Sequence, residues 1–502
     1  MVINPFLRNI DMAKQNLIIR DFSGGIGTLG EKKDIPNSVR FSKNLNPFED
    51  TSYITLARKT TKVSGSTVTT LPTWMEDGSP WSTNRYFYDE GGKIYQETSG
   101  GAWSSLRTVS GGAGEGLKVF DDYLYYALGV SLGRYGKLSG TPAFNDDFLT
   151  DGTTNVDTSG GGTGQTYSTA TSIAETATHR QTFTPERDSL KSIIIDINDT
   201  GDDPTWTVTV HDSNNTLIGA KTTAFASVTT GDNTFTFATP LRLVINNSYH
   251  FHVTTSTTTG APKVTTNVAS DLEGAEFSTI YGILIDTQFH PMESFLDFLV
   301  IGNERYLAKW DQATYNPNFV TFAPGFECRA LAKFDEFIVA ACFKGSSIQE
   351  AEEARLYFWD GIQATFNFFN DLKIGAANAI TNSNGELIGI YGSDGSMYKN
   401  NDPFQEVADK VPKLARGKKV EVYPGAMTNF EGSTLVGISA VTDDSAGLEQ
   451  GVYEYNSQQS QLMKVLNFPF TISTGTTQGT TLKIGFIKSI GTDLYIGWQD
   501  GA

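Results

Sequence analysis

One short pattern of apolar and polar positions returns along the chain: a polar turn with Asp or Gly, a run of large apolar and aromatic residues, a Gly-containing turn, and a second run ending in an aromatic. Copies read NRYFYDEGGKIYQE from Asn84, VFDDYLYYALGVSLGRYGKL from Val119, SFLDFLVIGNERYLAKWD from Ser294, and KFDEFIVAACF with ARLYFWDG from Lys333. They continue as NGELIGIYGSDGSMYKN from Asn384, FEGSTLVGISAV with GVYEYN from Phe430, and SIGTDLYIGWQDGA from Ser489. One such unit cannot bury its face alone, so neighbours must stack. The copies lie roughly 35 to 60 residues apart, compatible with the 40 to 50 residues of a four-stranded blade plus loops. The pattern predicts an all-β chain, a β-propeller of about six or seven blades, with Tyr125, Phe298, Phe337, Tyr357, Tyr391 and Tyr495 packed between blades.

The interval between the copies at Val119 and Ser294 is long enough for an independent domain. It opens on DGTTNVDTSGGGTGQTYSTATS from Asp151, a Gly/Ser/Thr-rich linker with almost nothing to bury. Segments of period two follow: RQTFTP at Arg180, LKSIIIDI at Leu190, TWTVTVHD at Thr205, NTFTFATPLRLVIN at Asn233 and SYHFHVTTS at Ser248. Such alternation between Asp/Asn/Gly turns predicts half-buried strands, and hence an inserted β-sandwich of jelly-roll type. The organisation read from the pattern is therefore residues 1–80 as an N-terminal assembly segment with a ring-closing strand, 81–150 as the first part of the propeller, 151–286 as the insertion, and 287–502 as the rest. The last copy ends after the strand DLYIGWQDGA with no hairpin partner recognised. Either an N-terminal strand completes that blade or the sequence is cut short. Met12, followed by Ala and Lys, reads as well as Met1 for an initiation site.

Composition agrees with strands and turns: 50 Gly, 32 Phe and 20 Tyr. A formal charge of -18 opposes gripping a nucleic-acid backbone. The N-terminus lacks the basic start and apolar stretch of a signal peptide, and no apolar run is long enough to predict a membrane span. Synthesis in the cytoplasm is expected. Two cysteines, Cys328 and Cys342, cannot build a disulfide framework or a four-cysteine zinc site, and both sit in apolar runs as reduced core residues.

Candidate chemistry is sparse. The turn at Ser393, Asp394 and Gly395 has the wrong spacing for the Asp-box turns of sialidase-type propellers, and reads as an ordinary tight turn. The acidic pairs Asp121/Asp122, Asp202/Asp203 and Asp443/Asp444 lie in turn contexts, as solvated carboxylates do. Asp199, Asp202 and Asp203 offer close oxygens for calcium, but their spacing fits no defined loop. Of the histidines at 179, 211, 250, 252 and 290, His250 and His252 alternate on one strand face, as a metal-binding pair would. With no Cys or further His nearby to complete the set, the pair reads as structural or solvent-facing. Trp206 reads as sandwich core rather than as a sugar platform. No phosphate loop or nucleophile elbow occurs. The residues thus point to no catalytic, cofactor or metal site.

The segment IIRDFSGGIGTLGEKKDIPNSVRFSKNLNPFEDTSYITLARKTTKV resembles the N-terminal region of phage tail nozzle and related tail β-propeller proteins. There a Gly-Gly-Ile turn precedes a proline-containing run, an Asn and a short arginine-containing strand. The matching residues here are Gly24, Gly25, Ile26, Pro36, Asn44, Leu56 and Arg58, followed by Lys59 and Thr60 where that group has proline and glycine. The resemblance implies a non-enzymatic virion protein whose copies surround the tail axis, with Gly24, Gly25, Pro36, Asn44 and Arg58 serving assembly. It also implies contacts with tail tube, adaptor or fibre proteins, and a genome that passes without specific binding. The insertion is similar to jelly-roll modules of phage tail and glycan-binding proteins, through QTFTP and LRLVINNSYHFHV, which implies contact with host surface glycan. Two other classes remain open: a glycan-binding adhesin or receptor-binding protein, and a polysaccharide-degrading propeller enzyme.

Overall fold

The computed structural model describes residues 45–50, 53–56, 68–97, 103–149, 169–172 and 181–500 of the chain, with breaks, the longest at 267–276, 409–419, 441–449 and 467–481. Residues 1–65 and 66–502 form two units. In the first, strands Leu45–Asp50 and Tyr53–Leu56 pair antiparallel, with Leu45 opposite Leu56. Gly24, Gly25, Pro36, Asn44 and Arg58 lie outside the described residues.

The second unit is an all-β propeller with an inserted jelly roll. Five four-stranded meanders run from Pro72–Asp77 to Trp103–Thr108, Leu117–Phe120 to Ala143–Asn145, Met292–Phe295 to Tyr315–Thr321, Phe326–Phe334 to Phe368–Leu372, and Ala377–Ser383 to Gln405–Ala408. A further sheet spans Val420–Glu421 to Gln461–Leu466, and the hairpin Leu482–Ile490/Asp493–Asp500 comes last. The first strands of the five meanders are successive neighbours, Met427–Phe430 takes that place in the sixth sheet, and the first strand of the last hairpin lies beside both Met427–Phe430 and Pro72–Asp77. Lys488 Nζ donates to Glu76 Oε1 at 2.7 Å and Gln499 Nε2 to the Thr69 carbonyl at 3.0 Å, so the hairpin joins the first sheet and the ring closes.

Two local devices recur. The turn after the first aromatic of the repeat is a two-residue hairpin, closed by Phe120 opposite Tyr123, Phe295 opposite Phe298, Phe334 opposite Phe337 and Phe430 opposite Ser433. At Asp121–Asp122 (φ 43° and 66°), Asn384–Gly385 (54° and 79°) and Glu431–Gly432 (50° and 87°) both turn residues take positive φ. That twist matches the twist of the flanking strands. The other device is a β-bulge early in the axial strand, where Thr73, Arg329, Asn378 and Gly485 are each skipped by the register. A bulge bends its strand and re-aims the extra residue. The freed polar groups are satisfied locally: Thr73 Oγ1 donates to the Gly114 carbonyl at 2.7 Å, and Asn378 Nδ2 to that of Gly392 at 2.9 Å.

Read in chain order, the strands of the insertion are Thr169–Ser172, Gln181–Phe183, Ser189–Asp199, Trp206–Asp212, Leu217–Thr223, Gly231–Arg242, Tyr249–Thr255, and the broken strand Lys263–Thr266 with Phe277–Tyr281. One sheet has the order first, eighth, third, sixth; the other has second, seventh, fourth, fifth. That interleaving is the jelly-roll arrangement. Its core is a separate cluster, with Ile193, Ile195 and Phe235 from one sheet against Trp206, Val208 and Phe251 from the other.

Four sequence readings shift. The first sheet begins at Pro72, inside the segment assigned to residues 1–80, because the copy at Asn84 covers the second and third strands of its sheet. Ile283 and Leu284, assigned to the insertion, pack with Phe120, Tyr125 and Met292 in a propeller cluster, and their amides donate to the Val130 carbonyl at 2.8 and 2.9 Å. The strand DLYIGWQDGA has a partner, Leu482–Ile490, on its N-terminal side. Tyr125, Tyr357 and Tyr391 are buried as expected, whereas Phe298, Phe337 and Tyr495 are half-buried. Phe298 and Phe337 flank the hairpin turns, where a strand leaves the interface, and Tyr495 lies under the Arg85 guanidinium.

Candidate functional site

The axial strands enclose a cavity of about 300 Å³. At one end it is ringed by charge. Lys488 pairs with Glu76 at 2.7 Å, Glu76 with Lys118 at 3.7 Å, Lys118 with Glu293 at 2.8 Å, and Glu293 with Lys333 at 3.4 Å. Each comes from a different sheet, so the belt crosses five neighbouring axial strands, and Thr381, Asn382 and Thr428 line the remaining arc. Burial works against both charges of the central pair. Lys118 and then Lys333 nonetheless hold the Glu293 carboxyl down at about 2, while Glu293 and Glu76 hold the Lys118 ammonium above the ordinary lysine range.

The other end is set by the bulges. Arg329 is 5 % exposed; its Nη1 donates to Gln288 Oε1 at 3.2 Å, and its guanidinium lies 4.4 Å from the centre of the Phe289 ring. Arg329 Nε has no hydrogen-bond partner among the described residues. Burial lowers the guanidinium to about 10 against the pull of Glu421 and Glu327, and burial raises both of those carboxyls. Tyr423 Oη donates to Glu90 Oε1 at 3.1 Å. Beside them His290 is fully buried, its Nδ1 3.0 Å from the Gly302 carbonyl and its amide donating to the Glu115 carbonyl at 2.7 Å. A carbonyl partner requires the proton on Nδ1. Burial holds the His290 ring down to about 4 and pushes the Glu115 carboxyl up to about 7.

A third feature lies on the outside. Phe368–Leu372 is the outer strand of its sheet, and Phe368 (44 % exposed), Phe369 (41 %) and Ile362 (76 %) face solvent. Phe368 stacks on Phe358 at 4.5 Å, and the Arg355 guanidinium lies 4.6 Å from the Phe369 ring. The edge therefore presents an ordered aromatic surface beside backbone groups that have no strand partner among the described residues.

The jelly roll carries the fourth. In the Tyr249–Thr255 strand, Tyr249, Phe251 and Val253 enter the core, so His250 and His252 occupy the opposite face. The neighbouring strand sets His211 directly opposite His250 and Thr209 opposite His252. The ring centres of His211 lie 5.4 Å from His250 and 4.7 Å from His252, and those of His250 and His252 are 5.1 Å apart. One nitrogen of each ring lies within 4.8 Å of the other two. His211 Nδ1 is buried and has no hydrogen-bond partner among the described residues, and burial lowers the His211 pKa against the charge of Asp212.

The third histidine corrects the reading of an incomplete pair. His211 is distant in sequence but adjacent across the sheet, and the alternation TWTVTVHD, which already places it outward, was the signal for it. Asp121 and Asp122 form a hairpin turn, where Asp122 accepts from the Ser139 amide at 2.8 Å. Asp199 Oδ1 accepts from the Gly201 amide at 3.1 Å; Asp203, Ser393, Asp394, Asp443 and Asp444 lie outside the described residues. Trp206 is fully buried in the sandwich core. Cys328 and Cys342 are buried, free and opposite each other. Among the described residues no helix is long and apolar enough to cross a membrane.

No family model and no curated protein matches the chain. Among solved structures it is similar to the computationally designed Ika8 protein, at 10 % identity and a TM-score of 0.37, over 88 % of this chain and 97 % of that one. It is also similar to the extracellular domain of a hybrid two-component system from B. thetaiotaomicron, at 10 % identity and a TM-score of 0.23, over 90 % of this chain and 63 % of that one. AztD of Citrobacter koseri aligns at 10 % identity and a TM-score of 0.23, over 58 % and 89 %.

Proposed function

We propose that this chain is a structural protein of a bacteriophage particle, a tail or tail-nozzle component whose copies assemble around the tail axis, and not an enzyme. The observation that carries the reading is the exposed aromatic edge at Ile362, Phe368 and Phe369. Soluble monomers seldom leave an unprotected edge of large apolar residues, whereas an edge buried against a neighbouring copy explains both the aromatics and the open backbone groups. The likeness of residues 21–62 to tail propeller proteins supplies the particle. The axial cavity has the size of a small-molecule pocket, so a genome conduit lies between copies rather than through one propeller. Its belt carboxylates Glu76 and Glu293 are committed to lysines, which suits a structural belt better than acid–base hydrolysis.

The test is incorporation into particles that lack the native copy, followed by electron microscopy, comparing wild type with the Phe368→Asp/Phe369→Asp variant. Ring-shaped incorporation of the wild type and its loss in a folded variant are expected. Equal incorporation of both would remove the edge from assembly. Absence of the protein from particles, with saturable binding to host glycan, would replace the reading with an adhesin acting through the jelly roll. Release of reducing ends from capsule or lipopolysaccharide would replace it with a hydrolase.

A further inference from the structure

We propose that His211, His250 and His252 form a three-histidine site for a divalent transition-metal ion on the outer face of the jelly roll. Three imidazoles on one face of two paired strands are within a side-chain rotation of a common ion. Zinc takes imidazole nitrogen at about 2.0–2.1 Å, which sets tetrahedral nitrogen–nitrogen separations near 3.4 Å. The nitrogens here already lie within 4.8 Å of one another, so the rings need to close by only about an ångström. The backbone that carries them is a regular ladder, with His211 and His250 in direct register, so no loop has to fold to bring the ligands together.

Two further observations point to a ligand. His211 Nδ1 is buried with no protein partner among the described residues, a position that a metal ion satisfies. The three ring centres also lie only 4.7 to 5.4 Å apart, a spacing at which one ion can be reached by all three imidazoles. All-nitrogen donors select zinc, copper, nickel or cobalt over calcium and magnesium, which take oxygen. Three protein ligands leave a fourth position on the solvent side, where a water or a donor from another molecule completes the shell. His211 and His252 are half-buried and His250 is buried, so the ion would sit just beneath the surface of that face.

The test uses the full chain stripped with a chelator and titrated with Zn²⁺ by calorimetry and with Co²⁺ by visible absorption. One ion per chain is expected, with the intense cobalt bands of a tetrahedral nitrogen site and affinity that falls as pH drops and the imidazoles protonate. His211→Asn and His252→Asn alter half-exposed side chains and leave the sandwich core intact. Each should weaken Zn²⁺ binding by more than about tenfold, since even outer-shell changes at metal sites cost that much. Ca²⁺ should neither bind nor compete. Affinity unchanged in the double variant would place the ion elsewhere, with the Cys328/Cys342 pair the first alternative. Absence of saturable Zn²⁺ binding by the folded wild type would remove the site.

Discussion

In the propeller, Glu76, Lys118, Glu293, Lys333 and Lys488 meet around the axis, with Arg329, Glu115 and His290 buried near its other end. In the jelly roll, the inward positions Ile193, Ile195, Ile197, Trp206, Val208 and Val210 are apolar, and the titratable His211, His250 and His252 stand on the outer face. The difference follows from geometry. Two sheets packed face to face close their gap by interdigitating side chains. Strands converging on an axis leave a central space that no single side chain fills, and long charged side chains from neighbouring strands pair with one another around one end of it. Interior charge in the ring is therefore structural, whereas the histidines of the sandwich stand on the face away from its core.

The largest test of that division is a pair of deletions. Removing residues 151–281 should leave a soluble propeller with a cooperative transition. Extending the deletion to residue 286 also removes Ile283 and Leu284, each a core truncation of the kind that costs about 2–5 kcal/mol. Calorimetry of the two deletion variants separates a hung domain from a shared core; equal stability would show that the two residues do not belong to the ring. Next in size, Trp206→Ala should cost about 3–5 kcal/mol in the sandwich while the transition of the ring is unmoved. A common shift of both transitions would mean that the domains unfold as one.

Within the ring, Glu293→Gln strands Lys118 between partners and should cost about 3 kcal/mol by denaturant melts, as breaking a buried pair does. Glu353→Gln, which breaks the exposed Lys344–Glu353 pair at 2.8 Å, should change nothing measurable. Similar losses in both variants would show that the belt is no more than a surface array.

The smallest expected effect is in pH dependence. His290 is held at about 4 against an ordinary 6.5, so the unfolded chain takes the proton first and stability is lost as pH falls from 6.5 to 4. Glu115 is raised from 4.5 to about 7, so the folded chain keeps its proton and stability is lost as pH rises from 4.5 to 7. The two slopes oppose each other, and the wild type should be nearly flat between pH 4.5 and 6.5. His290→Gln should uncover the Glu115 slope, roughly 3 kcal/mol across its window. A flat profile in that variant would mean that Glu115 is not held protonated.

The repeat was legible in sequence because every copy but the one at Asn84 contains the hairpin between the first two strands of its sheet, and that one contains the next hairpin. FDDY, FLDF and FDEF are closed aromatic pairs with two turn residues between them, at least one of them acidic, and that signature survives any drift in the strands. The axial strands were harder to read because their bulges at Thr73, Arg329, Asn378 and Gly485 break the period of two. Each bulge moves later residues to the other face. The strand Pro72–Asp77 was missed for that reason, and because its turn to Arg85 is longer than two residues. Alternation within the insertion gave the outward histidines one strand at a time. Which strands are neighbours in a jelly roll is a matter of long-range pairing, so the approach of His211 to His250 was not written in either segment alone.

The bond from Gln499 to Thr69 joins residues separated by 430 positions, and the contacts of Arg85 with Tyr495 span nearly as far. Such contacts give the ring a high contact order, and loop closure must be completed before they reward it. During synthesis the first sheet waits with an unpaired flank until the final hairpin leaves the ribosome. An unfinished chain is thus exposed to sticking to its neighbours through that flank. The same adjacency means that a permuted propeller, with new ends cut into a turn between sheets and the regions of Thr69 and Gln499 joined through a linker, would let the ring be assembled in a different temporal order without changing any contact within it.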